Sequence, residues 1–132
     1  MCLSKIIKDK SRKRPSIKNF YYCLMYQREN NTFVSIYKKM TLYIKDKWYD
    51  AKDGLFSPGQ RIYTNSIQYY VPYFHLFTTI KDCELYRNQM LLQEHAQIVR
   101  CKAKQITNIG IQNGLFTIVA RHRKIIEIVE KE

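Results

Sequence analysis

The chain has 132 residues, of which 45% are hydrophobic and 14% are aromatic. This length is typical of one domain, and the apolar share excludes an intrinsically disordered chain. The 23 lysine and arginine residues exceed the 11 aspartate and glutamate residues, so the net charge is +12 and favours an anionic partner.

The N-terminal segment, residues 1–17, is predicted to be a flexible basic arm that precedes a single domain over residues 18–132. Pro15 follows three basic residues and would break a helix started by the apolar residues before it. Either this arm lies along phosphate groups, with Lys13 and Arg14 as contacts, or it is a frayed and solvated terminus.

Strand patterns begin after residue 19. Residues 20–26 and 32–37 are rich in aromatic and β-branched residues, and the turn formers Asn30 and Asn31 separate them, which predicts a hairpin. A third strand is predicted to begin at Thr41 and to extend as far as Trp48. A turn-rich loop follows, and a fourth strand is predicted over residues 61–70, which Pro72 ends or places at a sheet edge.

One helix is predicted over residues 79–94. Thr78 or Thr79 can cap its first turn, and Asp82 lies where a negative charge stabilises a helix N-terminus. The helix would pack on the sheet through an apolar stripe with spacings of three and four residues. That stripe contains Ile80, Cys83, Tyr86, Met90 and Leu91.

The last third of the chain is predicted to be a long hairpin. Asn113 and Gly114 both tolerate the positive φ of a type I′ turn and lie between two apolar runs. A two-residue loop there sets a register whose apolar face is expected to be core. This register pairs Ile111 with Phe116, Ile109 with Ile118, Thr107 with Ala120, Cys101 with Ile126 and Val99 with Ile128.

The opposite face of this hairpin would be basic. It would carry Arg100, Lys102, Lys104, Arg121 and Arg123. The register places Lys104 opposite Arg123, and like charges in this position destabilise a sheet. Either a bulge breaks the register at this pair or an anion lies over it. These five residues are the predicted contacts for an anionic partner, and a solvated face is the alternative.

Aromatic residues are more numerous than a core of this size needs. Those of the middle of the chain are Tyr43, Trp48, Tyr49, Tyr63, Tyr69, Tyr70 and Tyr73. Exposed aromatic rings among lysine and arginine residues form stacking platforms for nucleobases. Trp48, Tyr69 and Tyr70 are therefore candidate site residues, although an A+T-rich coding sequence would also enrich a chain in tyrosine.

Residues with catalytic or metal-binding chemistry are sparse. His75 lies in an aromatic run before the helix and is either a structural side chain or a ligand contact or base. Neither a metal site nor a cofactor is expected, because no histidine, cysteine or carboxylate pattern has metal spacing and no phosphate-binding glycine motif occurs. Glu127 or Glu130 could serve as a catalytic carboxylate, but solvated glutamates on an alternating terminal strand are the simpler explanation.

Four scattered cysteines, without a C-x-x-C pair, are expected to be free thiols; two disulfides would be the alternative in a secreted protein. The first residues lack the apolar run of a signal peptide, and the uncharged residues 62–80 contain a proline and many polar groups. These features predict a cytosolic protein without a membrane span.

Several stretches resemble a family of small, uncharacterised bacteriophage and prophage proteins. They are Met1-Cys2-Leu3-Ser4-Lys5, Phe20-Tyr21-Tyr22-Cys23-Leu24, Ser35-Ile36-Tyr37, Phe74-His75-Leu76-Phe77, Ile98-Val99-Arg100-Cys101-Lys102-Ala103 and Lys124-Ile125-Ile126-Glu127-Ile128. Members often have a glycine before the Phe-His pair, where this chain has Tyr73. The resemblance implies a mobile-element context, in which short basic proteins are often accessory or counter-defence factors.

The expected fold is an α+β domain with an antiparallel sheet of about five to seven strands and one main helix packed on it. The expected function is non-catalytic: a phage-type accessory protein that binds nucleic acid, a nucleoprotein or a nucleotide. One alternative is a small nucleotide-directed transferase or hydrolase that uses His75 and a terminal glutamate. Another is a structural, self-assembling module whose exposed strands pair across a homodimer.

Overall fold

The computed structural model describes residues 3–7, 20–36, 41–54, 62–64, 69–91 and 96–129. Ten strands and one α-helix lie within these ranges. The helix α1 is Ile80–Gln89, and the strands are β1 Lys5–Ile6, β2 Tyr21–Glu29, β3 Thr32–Ser35, β4 Leu42–Ile44, β5 Trp48–Asp50, β6 Ile62–Tyr63, β7 Tyr69–Tyr70, β8 Phe74–Phe77, β9 Gln97–Gln112 and β10 Leu115–Ile128. In this part of the chain, no helix has the length and apolar character needed to cross a bilayer.

Eight of the strands form one antiparallel sheet, in the order β1-β9-β10-β8-β2-β3-β4, with β5 paired to a further stretch of β10. The α+β class is therefore confirmed, although eight strands exceed the five to seven expected. Strand β2 also pairs with β9, so the pairings of β9, β10, β8 and β2 form a closed circuit. The sheet consequently curves around an interior, and β6 and β7 pair with each other outside it.

The long C-terminal hairpin turns at Asn113 and Gly114, as predicted. Their φ angles are 51° and 79°, which matches the requirement of a type I′ turn for two positive values. Ile118 lies opposite Ile109 and Phe116 lies opposite Ile111, so the predicted register is confirmed near the turn. Ile118 is buried, while Ile109 is half-buried against the same core.

Further from the turn, two irregularities change the register. Ala120 pairs with Ile106 rather than with Thr107, and Cys101 pairs with Ile125 rather than with Ile126, so these two predicted pairs are wrong. A second irregularity restores the predicted pairing of Val99 with Ile128. Of the two explanations offered for the like-charge pair of Lys104 and Arg123, the bulge is therefore the correct one, because Lys104 now pairs with His122.

The first hairpin, β2 and β3, forms around Asn30 and Asn31 as predicted. The predicted third strand is divided, because Asp46 has a φ of 65° and the chain turns there between β4 and β5. The described part of the predicted fourth strand comprises two short strands, β6 and β7, that pair with each other. The strand β8, which pairs centrally with β10, was not predicted from its aromatic sequence.

The predicted basic arm begins with an ordered segment. Residues 3–7 include β1, which pairs with β9 through Lys5 and Ile6, and Leu3 is buried. Apolar contacts hold this segment in place, because Leu3 and Ile6 pack against Tyr70 and Val119 in a small core cluster. Lys13, Arg14 and the rest of the predicted arm lie outside the described residues.

Helix α1 begins as predicted, because the Thr79 hydroxyl accepts a hydrogen bond from the Asp82 backbone N–H over 3.1 Å. Cys83 and Tyr86 are buried beneath it, in a cluster with residues of β2, β8 and β9. The helix ends at Gln89 rather than at Glu94. The predicted apolar stripe of the helix is therefore too long, since Met90 is exposed and Leu91 is 83% exposed.

The interior of the curved sheet is filled by a second and larger cluster. Its buried members are Tyr21, Cys23, Met25, Phe33, Leu76, Val99, Cys101, Ile118, Ala120 and Ile125. The inner side of the sheet is thus covered by this cluster. The outer side is covered by α1 over part of β2, β8 and β9. The remaining outer surface of β9 and β10 is free to carry polar residues.

Gly110 allows β1 to approach β9 because it has no side chain, so a side chain at this position should destabilise the protein. A Cβ atom on Gly110 would overlap the Lys5 carbonyl oxygen and lie 2.8 Å from Leu3 Cδ1. Gly110→Ala should therefore lower the free energy of unfolding by about 1–3 kcal/mol, measured by urea denaturation. Hydrogen exchange should accelerate at the Ser4 and Ile7 amides, which donate to β9 carbonyl oxygens.

The matched control is Gly114→Asn, because a side chain there meets nothing within 4 Å and asparagine tolerates the positive φ of 79°. It should cost at most a few tenths of a kcal/mol. Equal losses for the two variants would contradict a role for Gly110 in the docking of β1.

Candidate functional site

A row of cations lies on the outer surface of β9, because alternate residues of a strand point to the same side. Arg100, Lys102 and Lys104 share this side, and both lysines are exposed. The register change brings Lys124 of β10 directly opposite Lys102. The observed outer surface thus contains Lys124, which was not predicted, and lacks the predicted members Arg121 and Arg123.

Aromatic rings from two neighbouring strands lie beside these cations. Trp48 of β5 pairs with Lys124, and Tyr22 of β2 pairs with Arg100. Phe20, directly before β2, lies within reach of Arg100 and Lys102. We name this surface the basic–aromatic face and define it by Phe20, Tyr22, Trp48, Arg100, Lys102, Lys104 and Lys124.

The cations of the basic–aromatic face lie over its rings. The Nζ atoms of Lys104 and Lys124 are 4.0 Å and 5.2 Å from the centroid of the Trp48 ring. The Arg100 guanidinium is 5.4 Å from the Phe20 ring and 5.9 Å from the Tyr22 ring. Such cation–π contacts hold the long side chains close to the sheet while leaving their charged ends near solvent.

The charge of this face is only partly neutralised. Arg100 forms an ion pair with Glu127, which lies opposite it on β10. Within the described ranges, no salt bridge involves Lys102, Lys104 or Lys124. These three lysines therefore provide uncompensated positive charge on one continuous surface.

Arg121 does not contribute to this face. Its guanidinium binds Asp50 of β5 in a bidentate manner, with Nε–Oδ1 and Nη2–Oδ2 distances of 3.0 Å and 2.8 Å. This hydrogen-bonded pair lowers the pKa of the Asp50 carboxyl to about 2 and raises the pKa of Arg121. The charge of Arg121 is therefore neutralised within the protein, contrary to its predicted role as a partner contact.

Arg123 is also misplaced by the sequence prediction, because it is buried. Its side chain is only 6% exposed and its guanidinium lies against two rings, 4.0 Å from the Phe74 centroid and 4.7 Å from the Tyr43 centroid. The partner strand is irregular near this position, where Gln105 has a φ of 55°. A residue with positive φ interrupts the regular alternation of a strand.

The burial of residues on both strands shows that the side chains change from one face of the sheet to the other near this point. Ala103 and Ile106 of β9 both pack on the inner core, although three positions separate them, and Ala120 and Arg123 of β10 are both buried at the same spacing. Strict alternation would place the members of each pair on opposite faces. Arg123 therefore points inward for a reason that no local sequence signal expresses.

Arg123 lines a cavity of about 220 Å³. Aromatic rings form much of its wall, and the thiol of Cys23 also faces it. The Cys23 and Cys101 sulphur atoms are 3.6 Å apart, and Arg123 Nη1 is 3.9 Å from the Cys23 sulphur. The hydrogen bond from Cys101, together with Arg123, lowers the pKa of Cys23 to about 7 despite its burial.

The described cysteines, Cys23, Cys83 and Cys101, are free thiols, as expected. Cys101 is fully buried and Cys23 is 4% exposed, which confirms the predicted order of their burial. Burial raises the pKa values of Cys83 and Cys101 well above the ordinary value, so Cys23 is the most readily ionised of the three. Cys2 lies outside the described residues.

His75 is held in a chain of hydrogen bonds inside the protein. The Leu3 backbone N–H donates to the Tyr70 hydroxyl over 2.7 Å, and the hydroxyl donates to His75 Nε2 over 2.8 Å. His75 Nδ1 donates in turn to the Tyr73 carbonyl oxygen over 3.0 Å. Both ring nitrogens are occupied and burial lowers the pKa of His75 to about 4, so the structural interpretation of this residue is favoured.

The other candidate residues divide between surface and interior. Trp48 lies on the basic–aromatic face, whereas Tyr70 is buried and its hydroxyl is hydrogen-bonded to the half-buried His75. Tyr69 belongs to β7, and its side chain lies outside the described part of the chain. The sequence analysis missed Phe20, Tyr22 and Lys124, because the pairing of β2 with β9 is remote in sequence and the bulge that moves Lys124 has no local signal.

The groups of the basic–aromatic face are cations and aromatic rings. The carboxylate next to it, Glu127, is paired with Arg100. Across the described ranges, no cluster of three histidine, cysteine, aspartate or glutamate side chains could hold a metal ion. An anion that also presents flat apolar surfaces would match both kinds of group on this face.

The lowered pKa of His75 predicts a loss of stability in mild acid. The unfolded chain binds a proton at this residue near pH 6.5, whereas the folded protein binds it only near pH 4. Stability should therefore fall as the pH decreases through this window, by ~2 kcal/mol between about pH 7 and about pH 5. Urea denaturation at the two pH values measures this difference.

The control for this prediction is His75→Gln, since glutamine can accept from Tyr70 and donate to the Tyr73 carbonyl without titrating. The variant should lose most of the pH dependence between pH 7 and pH 5. Asp50 does not interfere, because its pKa is lowered to about 2 from 3.8 and so acts below this window. An unchanged pH dependence in the variant would show that another group controls acid stability.

Comparison with protein-family models, with curated proteins and with solved structures finds no match for this chain. The resemblance to small phage proteins therefore stays a prediction. The function has to be inferred from the geometry described above.

Proposed function

We propose that this protein binds single-stranded nucleic acid on the basic–aromatic face and catalyses no reaction on it. The observation that carries the proposal is the placement of Trp48 beneath the Nζ atoms of Lys104 and Lys124, at 4.0 Å and 5.2 Å from the ring centroid. A nucleobase can stack on this kind of ring while the adjacent ammonium groups neutralise the flanking phosphates.

The dimensions of the face suit a short run of nucleotides. Its strands lie in the order β5, β10, β9 and β2, with Trp48 at one side and Phe20 and Tyr22 at the other. Three strand spacings separate the two groups of rings, which is about 14 Å. The uncompensated lysines lie between them, so base-stacking and phosphate-binding positions are interleaved.

A single strand fits this arrangement better than a duplex. In a duplex the bases are stacked on each other and only the phosphates and groove edges are accessible, so the rings of the face would have no partner. Single strands expose their bases to rings of this kind. The resemblance to phage proteins supports an accessory role for this binding, including counter-defence.

The enzymatic alternative receives no support from the side chains proposed for it. Both ring nitrogens of His75 are engaged inside the protein, and Glu127 is paired with Arg100. A general base has to reach the proton that it removes. The self-assembling alternative would act through the edge strand β4, where Leu42 and Ile44 are exposed; sedimentation analysis of the purified protein would detect the homodimer.

Binding to a labelled oligothymidylate at increasing salt tests the proposal. With three uncompensated lysines, the logarithm of the affinity should fall linearly with the logarithm of the salt concentration, with a slope of about −2. Lys104→Ala should reduce this slope by one contact. Trp48→Ala should instead weaken binding by roughly 5- to 150-fold with little change in slope, since base stacking contributes about 1–3 kcal/mol.

Lys81→Ala is the matched control, because this exposed lysine lies on α1 rather than on the sheet. It should leave the affinity and the slope almost unchanged. Three outcomes would refute the proposal: binding that does not depend on salt, equal affinity for the corresponding duplex, or equal effects of Lys81→Ala and Lys104→Ala. Tight binding of a single nucleotide with little salt dependence would indicate a closed pocket instead.

A further inference from the structure

Arg123 is a buried cation that has no carboxylate partner among the described residues. It is 6% exposed, and the salt bridges within those ranges do not include it. Its Nη2 atom is buried without a hydrogen-bond partner, Nη1 donates to the weak acceptor Cys23 Sγ at 3.9 Å, and the other contacts of the guanidinium are with the Phe74 and Tyr43 rings. Buried charges are normally paired, because removing an ion from water is costly when nothing compensates for it.

The acidic residues near Arg123 do not provide this compensation. Asp50 lines the same cavity, but both of its carboxylate oxygens bind Arg121. Asp53 also lines the cavity and is exposed, so water rather than Arg123 can solvate its charge. One uncompensated positive charge therefore remains at the cavity wall.

The cavity is large enough for a flat apolar group, and aromatic rings line it. Its volume of about 220 Å³ exceeds that of an engineered protein cavity of about 150 Å³ that binds benzene. Tyr43, Tyr49 and Phe74 line it, with the Tyr43 ring centroid 4.9 Å from that of Tyr49 and 6.0 Å from that of Phe74 in edge-to-face geometry. Contacts of this kind hold the wall in one arrangement and suit an aromatic guest.

The backbone of the partner strand is distorted close to the position at which Arg123 turns inward. Gln105 adopts a φ of 55°, a conformation that costs energy for a residue with a side chain. Regular alternation from Ala120 along β10 would place Arg123 on the outer surface with the other cations. A strained backbone close to a buried, unpaired cation beside a cavity is an arrangement typical of binding sites.

We propose that this cavity is a binding site for a small aromatic carboxylate, whose carboxylate pairs with the Arg123 guanidinium while its ring lies among Tyr43, Tyr49 and Phe74. The site is separate from the basic–aromatic face. A guanidinium binds carboxylate and phosphate alike, but a phosphate group carries up to two negative charges. With one uncompensated cation at the wall, a single negative charge is the matching one.

Titration of the wild-type protein with benzoate, benzamide and inorganic phosphate tests this proposal. Calorimetry should show that benzoate binds at least about tenfold more tightly than benzamide, which has the same shape without the charge. Benzoate should also bind more tightly than inorganic phosphate, and it should raise the midpoint of thermal unfolding. Equal binding of benzoate and benzamide, tighter binding of phosphate, or no binding of benzoate would overturn the proposal.

Alkylation of Cys23 provides a second measurement in the same protein. This thiol lines the cavity and contacts Arg123, so bound benzoate should block access to it and compete for the positive charge that stabilises its thiolate. Iodoacetamide should therefore modify Cys23 several-fold more slowly when benzoate is present, as mapped by mass spectrometry. The reference is Cys83, which lies under α1 and should react at the same slow rate in both conditions.

Two variants separate this site from the nucleic-acid surface. Arg123→Gln should weaken benzoate binding at least about tenfold and leave oligothymidylate binding unchanged. Lys104→Ala should weaken oligothymidylate binding and leave benzoate binding unchanged.

If Arg123→Gln does not fold, the comparison of benzoate with benzamide in the wild-type protein still tests whether the cavity binds a carboxylate. Tyr43→Leu then tests the contribution of the aromatic wall to benzoate binding. Loss of oligothymidylate binding with retention of benzoate binding in Arg123→Gln would contradict the assignment.

Discussion

The register between β9 and β10 is the constraint on which the rest of the structure depends. The Asn113–Gly114 turn sets this register, and the apolar residues next to it determine which face of the hairpin is core. Both long strands then provide edges for their neighbours: β1 and β2 pair with β9, and β8 and β5 pair with β10. A one-residue change in this hairpin therefore moves the side chains of two candidate sites.

Such a change occurs between Val119 and Ala120, and its effect is electrostatic. A regular hairpin would place Lys104 opposite Arg123, and the two cations would repel each other. With the register shifted there, Lys104 pairs with His122. A separate irregularity, the positive φ of Gln105, accompanies the change of side by which Arg123 is buried and Lys124 joins the outer surface. Together, the two irregularities separate an exposed group of lysines, suited to phosphate, from a buried guanidinium beside an apolar cavity.

The interior contacts around His75 connect the beginning of the described chain to its centre. Leu3 donates to the Tyr70 hydroxyl, and Tyr70 donates to His75 in β8. Because β8 pairs with β10 and β1 pairs with β9, these hydrogen bonds join both sides of the central hairpin. A neutral histidine is required for this arrangement, since its Nε2 atom has to accept a hydrogen bond. The same requirement explains why the residue is poorly suited to proton transfer.

The sequence by itself determined the features that depend on neighbouring residues. Asn113 and Gly114 indicate the turn, Asn30 and Asn31 separate β2 from β3, and Thr79 caps α1. These signals are reliable because each one satisfies a local backbone requirement. The excess of positive charge, which favours an anionic partner, is likewise a property of composition.

Only the tertiary structure decided which cations face outward. The burial of Arg123, the neutralisation of Arg121 by Asp50 and the addition of Lys124 to the surface follow from a bulge and from the pairing of β5 with β10. The contribution of Phe20 and Tyr22 depends on the pairing of β2 with β9, which is equally remote in sequence. Such pairings are selected by the packing of the whole core rather than by adjacent residues, so no local pattern expresses them.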